Sequence, residues 1–290
     1  MTTTHEHIAE NGWQRFWNRG GWWKALLLTV AYAALYEGFG LLDGTVFGGL
    51  VNKENIFADP QSVFFGLAFP ILLGGLALLV FVATLKWLGE IFGPQPIRGS
   101  WWMWIVVVLL IIPIALHLAA TNWGAYPVGV ILVTLLTGVF VGFAEELLTR
   151  GLAVNLLRRA GYGEKAVMLL SSALFAILHS VNLLTGQPLV NVAVTVAYTF
   201  GFGVMMYLVL RVTDSIIWPM LIHAATDPTT ILATGGVDVH TETAGAAGLL
   251  SLAGVFNFVY IAVAILAIFL VKGKVFPDRT PGLKKAPELA

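Results

Sequence analysis

Two adjacent glutamates, Glu145 and Glu146, are the residues whose position points most directly to chemistry. They follow an apolar stretch, residues 128–143, that reads VGVILVTLLTGVFVGF. Ionisable groups at membrane depth are rare and costly, and they commonly mark a functional site. Because neighbouring side chains on a helix point about 100° apart, the two carboxylates must have different surroundings.

The spacing of Glu146 and Arg150 predicts an ion pair. The two residues are four positions apart, so they share one face of a helix. A carboxylate paired with arginine serves as structure, which leaves Glu145 free to accept a proton or to bind a metal. The alternative is that all three side chains form a solvated helix end at the cytoplasmic surface.

Two later apolar stretches contain isolated histidines. His179 follows Phe175 by four residues, so the phenyl ring can wall one side of the imidazole. Asp227 follows His223 at the same spacing, and it could be a direct participant or could only orient the imidazole. Each histidine alone could be a hydrogen-bonded core residue. An acid and two imidazoles on three separate helices together favour one shared polar site.

The composition predicts an all-α, polytopic membrane helix bundle. Of the 290 residues, 58% are hydrophobic and only 11% are charged, whereas soluble domains carry about 25% charge. The apolar stretches are too long for the alternating strands of a membrane barrel. The formal net charge of zero gives no reason to expect nucleic-acid binding. The absence of cysteine excludes thiolate catalysis and cysteine metal ligands.

The distribution of basic residues predicts eight transmembrane helices with both termini in the cytoplasm. If the N-terminus is cytoplasmic, every lysine and arginine except Lys53 lies at the inner side of the membrane. A wrong number of spans would destroy this bias. The predicted spans are residues 22–42, 63–88, 101–121, 127–149, 165–183, 189–211, 215–233 and 249–271.

The sequence predicts one transmembrane domain, residues 22–271, with a short segment on either side. The candidate site residues fall in the core of this domain, residues 127–233. Residues 1–21 combine tryptophans with arginines, which is typical of a segment that lies in the membrane interface. Residues 272–290 contain three prolines and are expected to be a flexible cytoplasmic tail. The polar residues of the outer loop near 238–242 are interpreted as solvated.

The three polar motifs resemble those of the CPBP intramembrane protease family. The motifs are Glu-Glu-x-x-x-Arg at 145–150, Phe-x-x-x-His at 175–179 and His-x-x-x-Asp at 223–227. The family contains type II CAAX prenyl endopeptidases and bacteriocin-processing or self-immunity proteins. Its third motif often ends in asparagine, where this chain has aspartate. By this resemblance the catalytic candidates are Glu145, Glu146, His179, His223 and Asp227, with Arg150 as a structural ion-pair partner and Phe175 as a wall of the site.

The resemblance implies hydrolysis of a peptide bond by an activated water, and two arrangements fit the residues. In the first, Glu145 is the general base, His179 holds the water, and His223 and Asp227 face the oxyanion. Asparagine could donate a hydrogen bond there, whereas an ionised aspartate cannot. In the second arrangement a divalent metal, zinc, is bound by the two histidines with Glu145 or Asp227. The aspartate favours this metalloprotease version.

The expected protein is therefore an integral, multi-pass protein of the cell membrane whose active site opens to the cytoplasm. Its partners would be the lipid bilayer and a membrane-anchored, CAAX-type prenylated or membrane-embedded peptide substrate. One alternative is a non-catalytic peptide-binding or bacteriocin-immunity protein. Another is a proton-coupled carrier, although all the candidate groups lie toward one side of the membrane. Glu37 and His117 could line the cavity, but core hydrogen bonding explains them more simply.

Overall fold

The structure, a computed structural model, describes residues 10–184, 186–235 and 246–275. Most residues in these ranges are helical, and the ranges contain no strand apart from a single extended bridge between Gly163 and Lys274. The all-α prediction is confirmed. The predictions for the outer loop near 238–242 and for most of the C-terminal tail lie outside the described residues, as do the first nine positions of the interfacial segment.

The helices are named here in chain order. They are α1 (Gly12–Asn18), α2 (Trp22–Val46), α3 (Pro60–Thr84), α4 (Leu88–Phe92), α5 (Trp101–Ala120), α6 (Val128–Arg159), α7 (Glu164–Leu183), α8 (Leu189–Thr213), α9 (Ile217–Thr234) and α10 (Ala247–Leu270).

In the part of the chain that the structure describes, seven helices are long and apolar enough to cross a membrane. They correspond to seven of the eight predicted spans. The remaining predicted span, 215–233, is also helical and forms α9. This helix is less apolar than the others because it carries His223, Asp227 and several threonines. The orientation of the termini stays a prediction.

The predicted end of the fourth span at residue 149 is wrong. Helix α6 continues to Arg159, with a π-helical section over Leu147–Ala153 directly after the glutamate pair. The sequence interpretation ended the span at its charges and placed Arg150 in a cytoplasmic loop. Arg150 is instead only 2% exposed, because its charge is paired inside the protein. π-helical turns are often found at functional sites.

The longer α6 places Glu145 and His179 at the same level of the bundle. Helices α6 and α7 are joined by the short connection 160–163. Glu145 lies 14 residues before the end of α6, and His179 lies 15 residues after the start of α7. At 1.5 Å per residue both residues are about 21–23 Å from the same turn. The corrected boundary explains how an acid and an imidazole on neighbouring helices can meet.

A pair of glycines allows α9 to lie directly against α6. A Cβ atom on Gly142 would be 2.4 Å from the carbonyl oxygen of Met220 and 2.7 Å from the amide nitrogen of Ala224. A Cβ atom on Gly138 would be 2.5 Å from the carbonyl oxygen of Ala224. Small residues four apart permit such close approach between membrane helices. This contact brings His223 to the glutamate pair.

A buried charge cluster holds the helix ends around the α6–α7 connection. Arg158 contacts both carboxylate oxygens of Glu164, at 2.9 and 2.7 Å. Arg211 approaches the same carboxylate at 3.1 Å, and the Tyr207 hydroxyl donates to it. The Glu164 amide also donates to the carbonyl of Gly273. The cluster thus connects α6, α7, α8 and the segment after α10, away from the glutamate pair.

Candidate active site

The Glu146–Arg150 ion pair is fully inside the protein. Arg150 Nη1 is 3.2 Å from Glu146 Oε1, and both side chains are inaccessible to solvent. Arg150 Nη2 donates to the carbonyl of Gly203 at 2.8 Å, and the guanidinium lies 4.6 Å from the centre of the Phe175 ring. The predicted ion pair is present, and the alternative of a solvated helix end does not describe it.

His223 receives its orientation from this ion pair. Its Nδ1 lies 2.8 Å from Glu146 Oε1. Because a carboxylate that is paired with arginine accepts hydrogen bonds, Nδ1 carries a proton and donates it. The imidazole is only 2% exposed and packs edge-on against the rings of Phe202 and Phe175. Its second nitrogen, Nε2, is therefore held in one direction.

That direction is toward two more carboxylates. His223 Nε2 lies 3.8 Å from Glu145 Oε2 and 3.5 Å from Asp227 Oδ2. The Glu145 side chain is 23% exposed and that of Asp227 is 36% exposed, in contrast to the inaccessible Glu146. Glu145 Oε2 is itself a buried atom that makes no hydrogen bond with any described residue. A base with an unpartnered oxygen, beside an oriented imidazole, is suited to proton transfer.

His179 stands at the point where the α-helical part of α7 ends. Its Nδ1 is 3.1 Å from the backbone carbonyl of Phe175. A carbonyl only accepts, so Nδ1 must donate, and Nε2 is left with a lone pair. The imidazole is half-buried and lies 5.0 Å from the Phe175 ring, measured between ring centres. Phe175 thus contacts both histidines and forms the predicted wall.

Sequence reasoning missed three tyrosines around the site. Tyr32 and Tyr36 on α2 both lie within electrostatic range of Glu145, and Tyr198 on α8 lies within range of Asp227. Tyr32 and Tyr36 are four residues apart, the same spacing as in the polar motifs. That spacing was visible in the sequence, but nothing local indicated that α2 packs beside α6.

The two remaining candidates lie outside this cluster or at its edge. His117 on α5 contacts the hydroxyl of Thr230 on α9, with 3.2 Å between Nδ1 and Oγ1. That hydroxyl already donates to the carbonyl of Thr226, so it accepts from His117. The core hydrogen bond expected for His117 is present. Glu37 is half-buried beside Tyr36, one position from the site-facing side of α2.

The predicted zinc site is only partly assembled among the described residues. Within the described ranges, no group of three or more histidine, aspartate and glutamate side chains is placed so that it could hold a metal ion. His223 Nδ1 is occupied by Glu146, and Nε2 lies 3.5 Å from Asp227 Oδ2 and 3.8 Å from Glu145 Oε2. Two atoms that each bind zinc at about 2.0–2.2 Å lie roughly 3–4 Å from each other, so these two distances are compatible with shared ligation. The predicted zinc therefore stays a prediction.

The comparisons with known proteins agree with the motifs. Residues 98–229 match the family model described as "Type II CAAX prenyl endopeptidase Rce1-like". The matched region contains all three motifs and therefore confirms the resemblance to the CPBP family. Neither the curated proteins nor the solved structures gave a match. The match excludes α1 to α4, which include the helix that carries Tyr32 and Tyr36.

Proposed function

We propose that this chain is an intramembrane endopeptidase that hydrolyses a peptide bond of a membrane-anchored or membrane-embedded substrate. The match to type II CAAX prenyl endopeptidases over residues 98–229 supports this class of reaction. The observation that carries the proposal is that two partly exposed carboxylates, Glu145 and Asp227, both lie within 3.8 Å of His223 Nε2.

In the proposed reaction, Glu145 is the general base. A water held between its carboxylate and His179 Nε2 loses a proton to Glu145, and the resulting hydroxide attacks the scissile carbonyl carbon. His179 is suited to hold the water because its Nε2 accepts a hydrogen bond while Nδ1 is fixed on the Phe175 carbonyl. General-base catalysis of this kind contributes about 10²–10⁴-fold in rate.

His223 is the proposed electrostatic partner of the tetrahedral intermediate. When protonated, its Nε2 donates to the developing oxyanion, while Nδ1 remains on Glu146. Collapse of the intermediate breaks the C–N bond, and the proton held by Glu145 passes to the leaving amine. Glu146 and Arg150 touch no substrate in this scheme. They hold His223 in place, so we assign Glu146 a positioning role.

The alternative of a non-catalytic binding protein keeps the same fold but needs no general base. A binding protein would tolerate neutralisation of Glu145, whereas the hydrolase would not. The partial exposure of the Glu145 side chain, 23% against none for Glu146, favours the hydrolase, because a general base must reach the water that it activates.

The proposal is tested with purified protein in proteoliposomes and a panel of fluorogenic peptides. The panel contains a prenylated C-terminal tail peptide, the same peptide without the lipid, and a transmembrane-helix peptide. We expect cleavage of at least one membrane-bound peptide, and its loss in Glu145→Gln and His179→Ala. Wild-type protein that binds but never cleaves these peptides would support the binding alternative.

A further inference from the structure

We propose that Thr149 is a positioning residue that holds both Glu145 and His223 in their working geometry. This inference rests on the proposed function, and it gives a role to a position that the motif Glu-Glu-x-x-x-Arg leaves open. Thr149 lies in the π-helical section of α6, Leu147–Ala153, and is fully buried. It follows Glu145 by four residues and directly precedes Arg150.

The first contact of the Thr149 hydroxyl is with the backbone of Glu145. The hydroxyl donates to the Glu145 carbonyl, with 2.6 Å between the two oxygens. The α-helical part of α6 ends at Glu146, and the π-helical section begins at the next residue. Because a π-helix pairs each amide with a carbonyl one position further back than an α-helix does, backbone pairing changes at this point. The Thr149 side chain thus fixes the backbone of the proposed general base where the helix changes type.

The second contact of the same hydroxyl orients the guanidinium of Arg150. The single hydroxyl proton is used on Glu145, so the oxygen accepts from Arg150 Nη1. Arg150 Nη2 donates to the carbonyl of Gly203 at 2.8 Å. The distance from Arg150 Nη1 to Glu146 Oε1, 3.2 Å, is longer than the about 2.7–2.9 Å of a good charge-assisted hydrogen bond. Two neutral oxygens therefore direct the guanidinium, and Glu146 balances its charge.

The direction of the guanidinium matters because Glu146 Oε1 has a second partner. This oxygen contacts Arg150 Nη1 and also accepts from His223 Nδ1 at 2.8 Å. If the guanidinium turns, the carboxylate that neutralises it has to follow, and the imidazole loses its orientation. Thr149 thus acts on Glu145 through the backbone and on His223 through Arg150 and Glu146. One buried hydroxyl supports both the proposed base and the proposed oxyanion donor.

A second threonine on α6 provides a matched control. Thr134 is 1% exposed, and its hydroxyl donates to the carbonyl of Val130 at 2.8 Å, which is the same bond across four residues that Thr149 makes. Among the described residues, that carbonyl is its one hydrogen-bond partner. Replacement of threonine by valine keeps the branched shape and removes the hydroxyl. The two valine variants therefore differ in whether an arginine loses an acceptor.

The kinetic test compares Thr149→Val, Thr149→Ser and Thr134→Val. Thr149→Val should lower kcat about tenfold, because the base and the imidazole are both held less firmly. KM should stay at the wild-type value, since the buried Thr149 side chain does not reach the substrate. Thr149→Ser keeps the hydroxyl and should restore most of the activity, and Thr134→Val should be fully active. A wild-type kcat in Thr149→Val would overturn the inference.

Thr149→Cys keeps the test decisive if Thr149→Val does not fold. Cysteine differs from serine by sulfur in place of oxygen, and a thiol is only a weak donor and acceptor. Thermal unfolding shows whether the cysteine and serine variants are both folded. Thr149→Cys should then have a lower kcat than Thr149→Ser. Equal kcat in these two variants would contradict the positioning role.

Nuclear magnetic resonance of protein labelled with ¹⁵N-histidine separates this inference from the proposed function. The imidazole signals of His223 are identified by their loss in His223→Asn, and no substrate is needed. We expect the Nδ1 signal to shift in Thr149→Val and to stay unchanged in Thr134→Val. An unshifted signal in Thr149→Val would overturn the inference. A shifted signal together with a wild type that cleaves no peptide would support the positioning of His223 and remove the proposed function alone.

Discussion

The two neighbouring glutamates have different surroundings, and this difference assigns their roles. Glu146 is inaccessible and contacts both Arg150 and His223 Nδ1, so both of its interactions are with the protein. Glu145 is partly exposed, and its Oε2 lies 3.8 Å from His223 Nε2. The sequence predicted the ion pair from the four-residue spacing. It did not indicate that Glu146 also orients an imidazole on another helix.

Glu146→Gln should therefore lower both the stability of the protein and its peptidase activity. The change leaves the Arg150 charge buried without its partner, and breaking a buried pair costs about 3–5 kcal/mol. Glu90→Gln is the matched control, because Glu90 pairs with Arg159 at a partly exposed position, and an exposed pair is worth about 0–1 kcal/mol. Thermal unfolding in detergent measures both. Similar unfolding midpoints for the two variants would show that the buried ion pair stabilises the protein no more than the partly exposed pair does.

Asp227 is the position at which this chain departs from the family motif, and it separates the two mechanisms. In the proposed scheme Asp227→Asn should retain or increase activity, because an amide can donate a hydrogen bond to the oxyanion where an ionised carboxylate cannot. In the zinc version the same change removes a ligand and should cost 10-fold or more, in line with the ~10–100-fold typical of perturbed metal sites. Cleavage assays before and after treatment with a chelator provide the second measurement. Loss of activity in both experiments would favour zinc.

At the scale of elements, the close contact between α6 and α9 determines whether the site exists. Gly138 and Gly142 leave no room for a side chain at this contact. His223 and Asp227 reach the glutamates only because the two backbones touch. On the α9 side of this contact a small residue, Ala224, faces Gly142.

Gly142→Ala should reduce activity at least tenfold, because a methyl group 2.4 Å from the Met220 carbonyl oxygen must push α9 away. Gly254→Ala on α10 is the control, since a Cβ atom there meets nothing within 4 Å. The control should be fully active and as stable as the wild type or slightly more so. Peptidase assays with both variants at matched expression measure the effect. Normal activity in Gly142→Ala would mean that α9 need not touch α6.

The sequence predicted the features that depend on local apolarity and missed those that depend on contacts between helices. Apolar periodicity and length located the long helices, because burial in lipid is decided locally along the chain. The end of α6 was missed because Glu146 and Arg150 look like a helix terminus until their partners on other helices are known. The position of Tyr32 was missed for the same reason, since its ring packs against Gly74 of another helix.

At the scale of the whole molecule, the bundle presents a polar site that is enclosed by α2, α6, α7, α8 and α9. Helices α6 and α7 place Glu145 and His179 at one level, about 21–23 Å from their shared turn. The basic residues predict that this turn is cytoplasmic. Access from the cytoplasm would follow from that orientation, so the orientation must be measured.

The absence of cysteine makes this measurement clean. Lys53→Cys should react with an impermeant maleimide only from outside the cell, and Lys86→Cys only after the membrane is opened, because the basic-residue bias places them on opposite sides. Both lysines are exposed in the structure. The unmodified protein is the control for background labelling. The reverse labelling pattern would invert the orientation and place the α6–α7 turn outside.

The most direct test of the central claim is hydrolysis in ¹⁸O-labelled water by the wild type, Glu145→Gln and the exposed-loop control Glu54→Gln. The account predicts that the wild type and the control release a product with one ¹⁸O atom in its new carboxylate, detected by mass spectrometry. Glu145→Gln should be folded and should release at least 100-fold less product, within the ~10²–10⁴-fold range of general-base catalysis. Product formation by Glu145→Gln at the wild-type rate would contradict the account.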